Sequence, residues 1–433
     1  GLTSWRLQYA CPNIRGEAYT IYTNTPVGGA MRGYGIPQVC FAIESFMDDV
    51  ANEIHMDPLE FRRKNLIQGY YEDAYLKPIA ANTNGIFECL EKGAEYIHWD
   101  EKRKEYAEQT GDVRKGVGMA LFSYKTGVWP ISLEIAGARL SLNQDGSVQL
   151  MLGATEIGQG ADTVFSQMVA ETLHTDMEHV HIKTVQDTDV SPFDTGAYAS
   201  RQSFVTGTAV RHCAEILRDK ILAYAKTLLP EIDTRELTLK DNWIWAGDEQ
   251  AISLAALAEE SYYSLTNSSV LTAEVSEQVK KNTIATGCCF AEVEVDIKLG
   301  KIKILHIINV HDSGKLLNPQ LAEMQVHGGM SMGMGYGISE QLILDEKTGR
   351  PLNGNLLDYK LMTMLDTPDI KADFVELYDP MGPYGNKALG EPPAIPGAPA
   401  IRNAVLHATG VAFNENPLTP QRLIYGFIKA GLI

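Results

Sequence analysis

A chain of 433 residues, 45% hydrophobic and 21% charged, has the composition of a globular protein with room for two or three domains and a large core. Its formal net charge of -18 argues against nucleic acid or an anionic membrane as the main partner. It contains no apolar run of about 18 residues or more, so no segment reads as a membrane-spanning helix.

The chain opens on Gly1 in what reads as mid-domain sequence, "GLTSWRLQYACPNIRG", so a fragment or a processed subunit is expected. In residues 37–54 the apolar side chains Val39, Ala42, Ile43, Phe46, Met47, Val50 and Ile54 recur at the spacing of one helix face, an amphipathic helix. Asp57-Pro58-Leu59-Glu60 then supplies a cap, a first-turn proline and an acid, so a short second helix follows. Residues 67–112 are polar and mixed, with Pro78, Asn82 and Asn84, and a domain boundary is placed at residue 112. Beyond it one pattern occurs twice. Ala138–Leu142 and Ser147–Leu152 flank an Asp145-Gly146 turn, then a glycine-bearing loop leads into a helix with Val164, Phe165, Met168, Val169 and Leu173 on one face. Phe290–Ile297 and Lys301–Val310 flank Leu299-Gly300, then "HDSGKLLNP" leads into a helix near Gln320–Tyr336. Phe204–Leu229 is a further long helix, and residues 230–283 read as a peripheral insertion. Repeated hairpin–loop–helix units point to an α+β fold, with mainly antiparallel sheets covered by helices.

The six cysteines form no C-x-x-C pair, which argues against zinc or iron–sulfur ligation within this chain. They read as reduced, buried thiols of a cytoplasmic protein. His174, His179 and His181 lie where a helix pattern gives way to a strand pattern, and their spacing does not make a metal site.

Several loops stand just before helices: Ala30–Gln38 "AMRGYGIPQ", Thr155–Thr163 "TEIGQGADT", Asp194–Ser203 "DTGAYASRQS" and Ala388–Pro393 "ALGEPP", with Gln325 on a helix rich in small residues. Each has a plain structural alternative: Gly158 and Gly160 end a strand, Ser200 and Ser203 cap a helix, and the glycines after Gln325 permit close packing. Together they offer amides, hydroxyls and neutral glutamines with few charges. That set suits a large polar cofactor with a buried anionic group, held by hydrogen bonds. None has the form of a simple ATP or NAD loop. Glu391 sits between Gly390 and Pro392-Pro393. A helix-dipole partner needs no such frame, whereas a positioned general base does.

"MRGYGIPQ", "GATEIGQGADTVFSQMVAETL", "DTGAYASRQSFVTG", "HDSGKLLNPQLAEMQVHGG" and "LGEPPAIPGAPAIRNAV" resemble, in order and spacing, the molybdenum-binding portion of the xanthine dehydrogenase/aldehyde oxidase family. The likeness is greatest to the separate molybdenum subunits of bacterial xanthine dehydrogenases. It implies a molybdopterin-binding fold, with residues 1–112 as the C-terminal part of a first subdomain and 113–433 as a second that carries the base. It implies oxidative hydroxylation of an electron-poor carbon, in which a glutamate matching Glu391 activates a metal-bound hydroxyl and hydride passes to a sulfido ligand. No side chain ligates molybdenum in this family; a pterin dithiolene does, expected here as molybdopterin cytosine dinucleotide.

The resemblance carries roles to matching positions. Gly158 and Gln159 match the loop that holds the pterin beside the metal. Ala199, Ser200, Arg201, Gln202 and Ser203 match a run that binds the pterin and its phosphate end. Gln325 matches a pterin-bonding glutamine, Arg32 an arginine whose backbone lies near the metal, and Gly390 the neighbour of the base. Tyr34 matches a substrate-stacking aromatic. Val128 and Trp129 stand near a second such position, for which Trp129 is taken, with core packing as its alternative. The implied substrate is a purine, hypoxanthine or xanthine, with nicotinate-like heterocycles or aldehydes as the alternative. Electrons are expected to pass to [2Fe–2S] clusters and FAD on partner subunits in a dimer of hetero-oligomers. The family's upstream half, which holds purine-orienting residues, lies outside this chain, so the expectation is either a second molybdenum-domain chain as a further partner or an incomplete fragment. A non-catalytic scaffold is the alternative of a different kind.

Overall fold

A computed structural model describes residues 8–69, 71–72, 78–79, 84–183 and 186–433. Residues 1–7 of the opening stretch, and Asn82, lie outside these. In chain order the helices and strands are α1 (Ile36–Glu53), α2 (Pro58–Asn65), β1 (Tyr71–Glu72), β2 (Pro78–Ile79), α3 (Ile86–Ile97), α4 (Trp99–Glu105), β3 (Val113–Lys125), β4 (Ile135–Leu142) and β5 (Val148–Leu152). Then come α5 (Ala161–Leu173), β6 (Val180–Ile182), α6 (Gly207–Leu228), β7 (Leu237–Lys240), β8 (Trp243–Ala246), β9 (Glu249–Ser253), α7 (Leu254–Tyr263) and β10 (Thr272–Gln278). The chain ends with β11 (Ile284–Asp296), β12 (Lys301–Asp312), α8 (Pro319–Ile338), β13 (Asp369–Phe374), α9 (Gly397–Thr409) and α10 (Pro420–Lys429). These elements fall into two compact units. Residues 1–125, 283–379 and 387–433 form the first; residues 126–282 and 380–386 form the second.

The first unit is built on a four-stranded sheet of order β13-β12-β11-β3. β11 pairs antiparallel with β12 and β3, and β12 pairs parallel with β13. Both faces are covered. Val117, Met119, Leu121, Cys288 and Phe290 meet Ile86, Cys89, Leu90 and Trp99 from α3 and α4. Ala120, Cys289, Ala291 and Val293 meet Val326 and Met330 of α8 and Ala400, Ile401 and Ala404 of α9. α9 lies close on β3 because Gly118 has no side chain: a Cβ there would strike the backbone of Asn403 and Ala404.

The sequence reading of α1 is right in element but not in face. Cys40, Phe41, Met47 and Ala51 point inward together with Glu44 and Asp48, while Phe46 and Ile54 are exposed. The cause is polar. Glu44 Oε2 accepts the Leu121 N–H of β3 at 2.9 Å and Arg62 Nε of α2 at 2.9 Å. Arg62 Nη1 reaches Asp48 at 2.6 Å, and Arg62 is wholly buried. An edge-strand donor and a buried guanidinium need acceptors there, and those requirements set the helix rotation. α2 is capped as its sequence indicates, with the Asp57 carboxylate accepting Leu59 N–H at 2.9 Å.

The second unit repeats the plan. Its main sheet has order β10-β4-β5-β6, with two antiparallel pairings and one parallel, β5 with β6. α5 packs on α6, and α6 packs on β4 and β10. The two hairpins read from the sequence are β4–β5 and β11–β12, with Gly146 and Gly300 both at positive φ in their turns. Within residues 230–283, β7, β8 and β9 form a separate three-stranded sheet, and β10 is the edge strand along β4. Among the described residues no helix is long and apolar enough to cross a membrane.

Candidate functional site

In the first unit Glu391 is half-buried within a run whose following residues, Pro392 to Ala400, are all buried. The two prolines start a 3-10 turn (Pro392–Ala394), with Ala394 N–H bonded to the Glu391 carbonyl at 3.1 Å, and the α-helix begins only at Gly397. The carboxylate therefore leaves from a turn whose φ angles are fixed by two rings. Its Oε2 accepts a hydrogen bond from the Tyr124 hydroxyl at the end of β3.

Arg32 ties this turn to Gln325 of α8. Its Nε donates to the Gly390 carbonyl at 2.5 Å, and its Nη2 donates to the Gln325 carbonyl at 2.9 Å and Gln325 Oε1 at 3.2 Å. Arg32, Gln325, Gly390 and Glu391 thus form one cluster, in which Arg32 and its partner Gly390 stand 358 positions apart. Burial lowers the Arg32 pKa, and the nearby Glu391 carboxylate partly offsets that. His311, fully buried on β12, is held neutral: burial, then the Arg32 charge, pulls its pKa down to about 3. The turn also rests on α8. A Cβ at Gly329 would lie 2.9 Å from the Pro393 carbonyl carbon and 3.0 Å from Ala394 N. Gly329→Ala is expected to lower stability by about 1–3 kcal/mol through overpacking, read as an earlier urea midpoint; an unchanged midpoint would remove α8 as the support of this turn.

Tyr34 stands on a tight turn. Gly33, Tyr34 and Gly35 all have positive φ, Tyr34 N–H bonds the Met31 carbonyl at 2.7 Å, and the side chain is 73% exposed. A tyrosine in the left-handed region is uncommon, and here it holds the ring out from α1.

In the second unit, the loop before α5 is already occupied in part. The Glu156 carboxylate accepts N–H groups from Gly158 at 2.7 Å, Gly160 at 3.1 Å and Asp162 at 3.1 Å. Burial acts to raise its pKa, but these backbone donors outweigh it and the net shift is downward. This acid sits where a ligand anion was expected from the sequence. Gln159 bridges instead: its Oε1 accepts Ile157 N–H at 2.7 Å, and its Nε2 donates to the Thr155 carbonyl at 3.0 Å and Gln202 Oε1 at 2.7 Å. Gly158 is exposed, and a Cβ there would meet no atom within 4 Å.

The run 199–203 is strained. Ala199 and Ser200 are consecutive left-handed residues, each with φ 49, and Gln202–Thr206 form a π-helical turn ahead of α6. Both features cost energy and concentrate at functional sites. Arg201 anchors the run: its buried guanidinium meets Glu134 Oε2 and Asp194 Oδ1, each at 2.6 Å, and the carbonyls of Gly196 and Ile135. Its side chain is thereby committed to holding the backbone. Gln202 and Ser203 are half-buried. Trp129, also half-buried, follows Val128, whose N–H bonds Glu134.

Sequence reasoning did not single out Tyr124, Glu156 or the Lys387–Asp312 pair. Glu156 was legible as an acid just ahead of a glycine-rich helix start. Tyr124 was not, because its partner lies 267 residues away. Among the described residues no group of three or more His, Cys, Asp or Glu side chains is placed to hold a metal.

Models of the molybdopterin cofactor-binding domain match residues 1–66 and 92–368. The xanthine dehydrogenase molybdenum-binding subunit of Escherichia coli O157:H7 is 49% identical over 419 residues, which is 96% of this chain and 55% of that relative. The aldehyde oxidoreductase molybdenum-binding subunit PaoC of Escherichia coli (strain K12) is 28% identical, over 96% of this chain and 55% of its own length. The chain thus spans about half the length of the curated relatives it matches. Among solved structures, quinoline 2-oxidoreductase from Pseudomonas putida 86 shares the fold with a TM-score of 0.84 at 24% identity, covering 93% of this chain and 53% of that one. The chain therefore belongs to the molybdopterin cofactor-binding domain family.

Proposed function

We propose that this chain is the base-carrying part of a molybdenum hydroxylase that oxidises a purine, hypoxanthine or xanthine, at an electron-poor ring carbon. The observation that carries the reading is the fixed carboxylate of Glu391, half-buried on a proline turn that Arg32 ties to Gln325. Molybdenum held by the pterin supplies, when bound, the oxygen given to the substrate and the acceptor for two electrons.

The donor set supports such a group. Ala199, Ser200, Gln202 and Ser203 of the second unit carry backbone amides, hydroxyls and a carboxamide without a charged side chain on a strained backbone, while the Gly158 amide and the Gln159 carboxamide, bonded to Glu156, Ile157, Thr155 and Gln202, would exchange those partners for the ligand. They would hold the pterin and the dinucleotide extension expected of a cytosine dinucleotide form, with Arg201 fixing their backbone. Glu391 takes the proton released at the oxygen donor and passes it on after turnover. Tyr34 gives a face for stacking an aromatic substrate. Electrons leave to [2Fe–2S] clusters and FAD on partner subunits.

The test is a substrate screen of the complex assembled with its partner subunits, comparing hypoxanthine and xanthine with nicotinate and benzaldehyde. The expected result is purine turnover with kcat/KM well above the other two. Turnover confined to nicotinate or benzaldehyde would overturn the purine assignment.

A further inference from the structure

Tyr124 has no role in the reading above, yet it is the side chain bonded to the base. It is the penultimate residue of β3, paired with Ala285 of β11, and only 3% exposed. Its ring packs with Cys40, Phe122, Ala285, Ala388 and Ile395. Ala388 and Ile395 bracket Glu391 in the chain, so the ring is lodged against both ends of the segment that carries the base. Its hydroxyl donates to Glu391 Oε2. This bond connects the sheet to the half-buried carboxylate of the turn.

We infer that Tyr124 is a positioning residue that orients the Glu391 carboxylate and sets its proton affinity. The inference rests on the reading of Glu391 as the base. A hydroxyl that donates to a carboxylate stabilises the ionised form and so lowers the pKa of the acid. A base must be ionised to act, so the bond extends the active range toward lower pH. Arg32 adds to the same effect by charge, since its guanidinium interacts with Glu391 while bonded to Gly390. One hydrogen-bond donor, Tyr124, and one nearby charge, Arg32, thus both favour the ionised carboxylate.

The experiment is Tyr124→Phe in the complex assembled with its partner subunits, which keeps the ring in its apolar cluster and removes only the hydroxyl. Two titrations are compared with the parent. One is the pH profile of kcat/KM; the other is the infrared titration of the carboxyl band lost in Glu391→Gln. Both midpoints are expected to rise by about one pH unit, with the thermal midpoint within a few degrees of the parent. KM is expected to stay near the parent value while kcat falls below the shifted limb. If neither titration moves, Tyr124 only packs and the inference is overturned. If the infrared midpoint moves and the rate profile does not, Tyr124 still sets the affinity of Glu391, and the assignment of Glu391 as the base is what fails. Full turnover by Glu391→Gln leads to that same second conclusion.

Discussion

Glu391→Gln is expected to cut turnover by about 10²–10⁴-fold or more while leaving the fold and cofactor binding intact. Glutamine has the same shape, and its amide oxygen can still accept the Tyr124 hydroxyl. The turn does not depend on the carboxylate: Pro392 and Pro393 fix it, Arg32 holds Gly390, and Ala394 bonds the Glu391 backbone carbonyl. What is lost is the capacity to take a proton at working pH. The loss should fall on kcat, since an interaction needed only in the transition state does not hold the ground-state substrate. Steady-state kinetics of the loaded complex, beside circular dichroism and metal content, check it. A kcat near that of the parent would remove Glu391 as the base.

Lys387→Met is expected to lower stability by about 3–5 kcal/mol, the usual effect of stripping one partner from a buried pair. Lys387 Nζ and Asp312 Oδ2 lie 2.8 Å apart with both side chains wholly buried. The aspartate also accepts Gly85 N–H at 2.9 Å and Gly314 N–H at 3.1 Å, and Lys387 N–H bonds the Ser313 carbonyl at 2.8 Å. The pair therefore pins the start of the Glu391 segment to the end of β12. Without the ammonium group the carboxylate keeps backbone donors but no countercharge. Adding Asp312→Asn to Lys387→Met should recover part of the loss, because a neutral side chain needs no partner ion. Urea unfolding of the three variants measures it. A single variant within about 0.5 kcal/mol of the parent would show the pair to be dispensable.

How much of this was legible in the sequence depends on what each signal had to report. The hairpin turns at Asp145-Gly146 and Leu299-Gly300 and the Asp57 cap were legible because each needs only local chemistry. β3 was not read as a strand. It is buried on both faces, so "GVGMALFSY" shows no alternation, and its glycines look like breaks although they admit α9. α3 was legible but missed: Ile86, Cys89, Leu90, Gly93 and Ile97 lie inward at helical spacing, with Gly93 where Phe290 presses in. The rotation of α1 was beyond any hydrophobic count, since a buried Glu44–Arg62–Asp48 network sets it. At the site, the loops and Glu391 stood out by composition. The bonds that join Arg32 to Gly390, Gln159 to Gln202 and Tyr124 to Glu391 cross 358, 43 and 267 residues, and only the fold brings those groups together.

The central claim is that this chain carries the base of a molybdenum hydroxylase and does not merely keep its fold. Elemental analysis for molybdenum, with the nucleotide released by acid hydrolysis, tests it most directly on the complex isolated with its partner subunits. The expected result is stoichiometric molybdenum and cytidine nucleotide in both the parent and Glu391→Gln, with turnover only in the parent. A well-folded complex without molybdenum, even from cells that load other enzymes of this class, would contradict the claim and leave a scaffold.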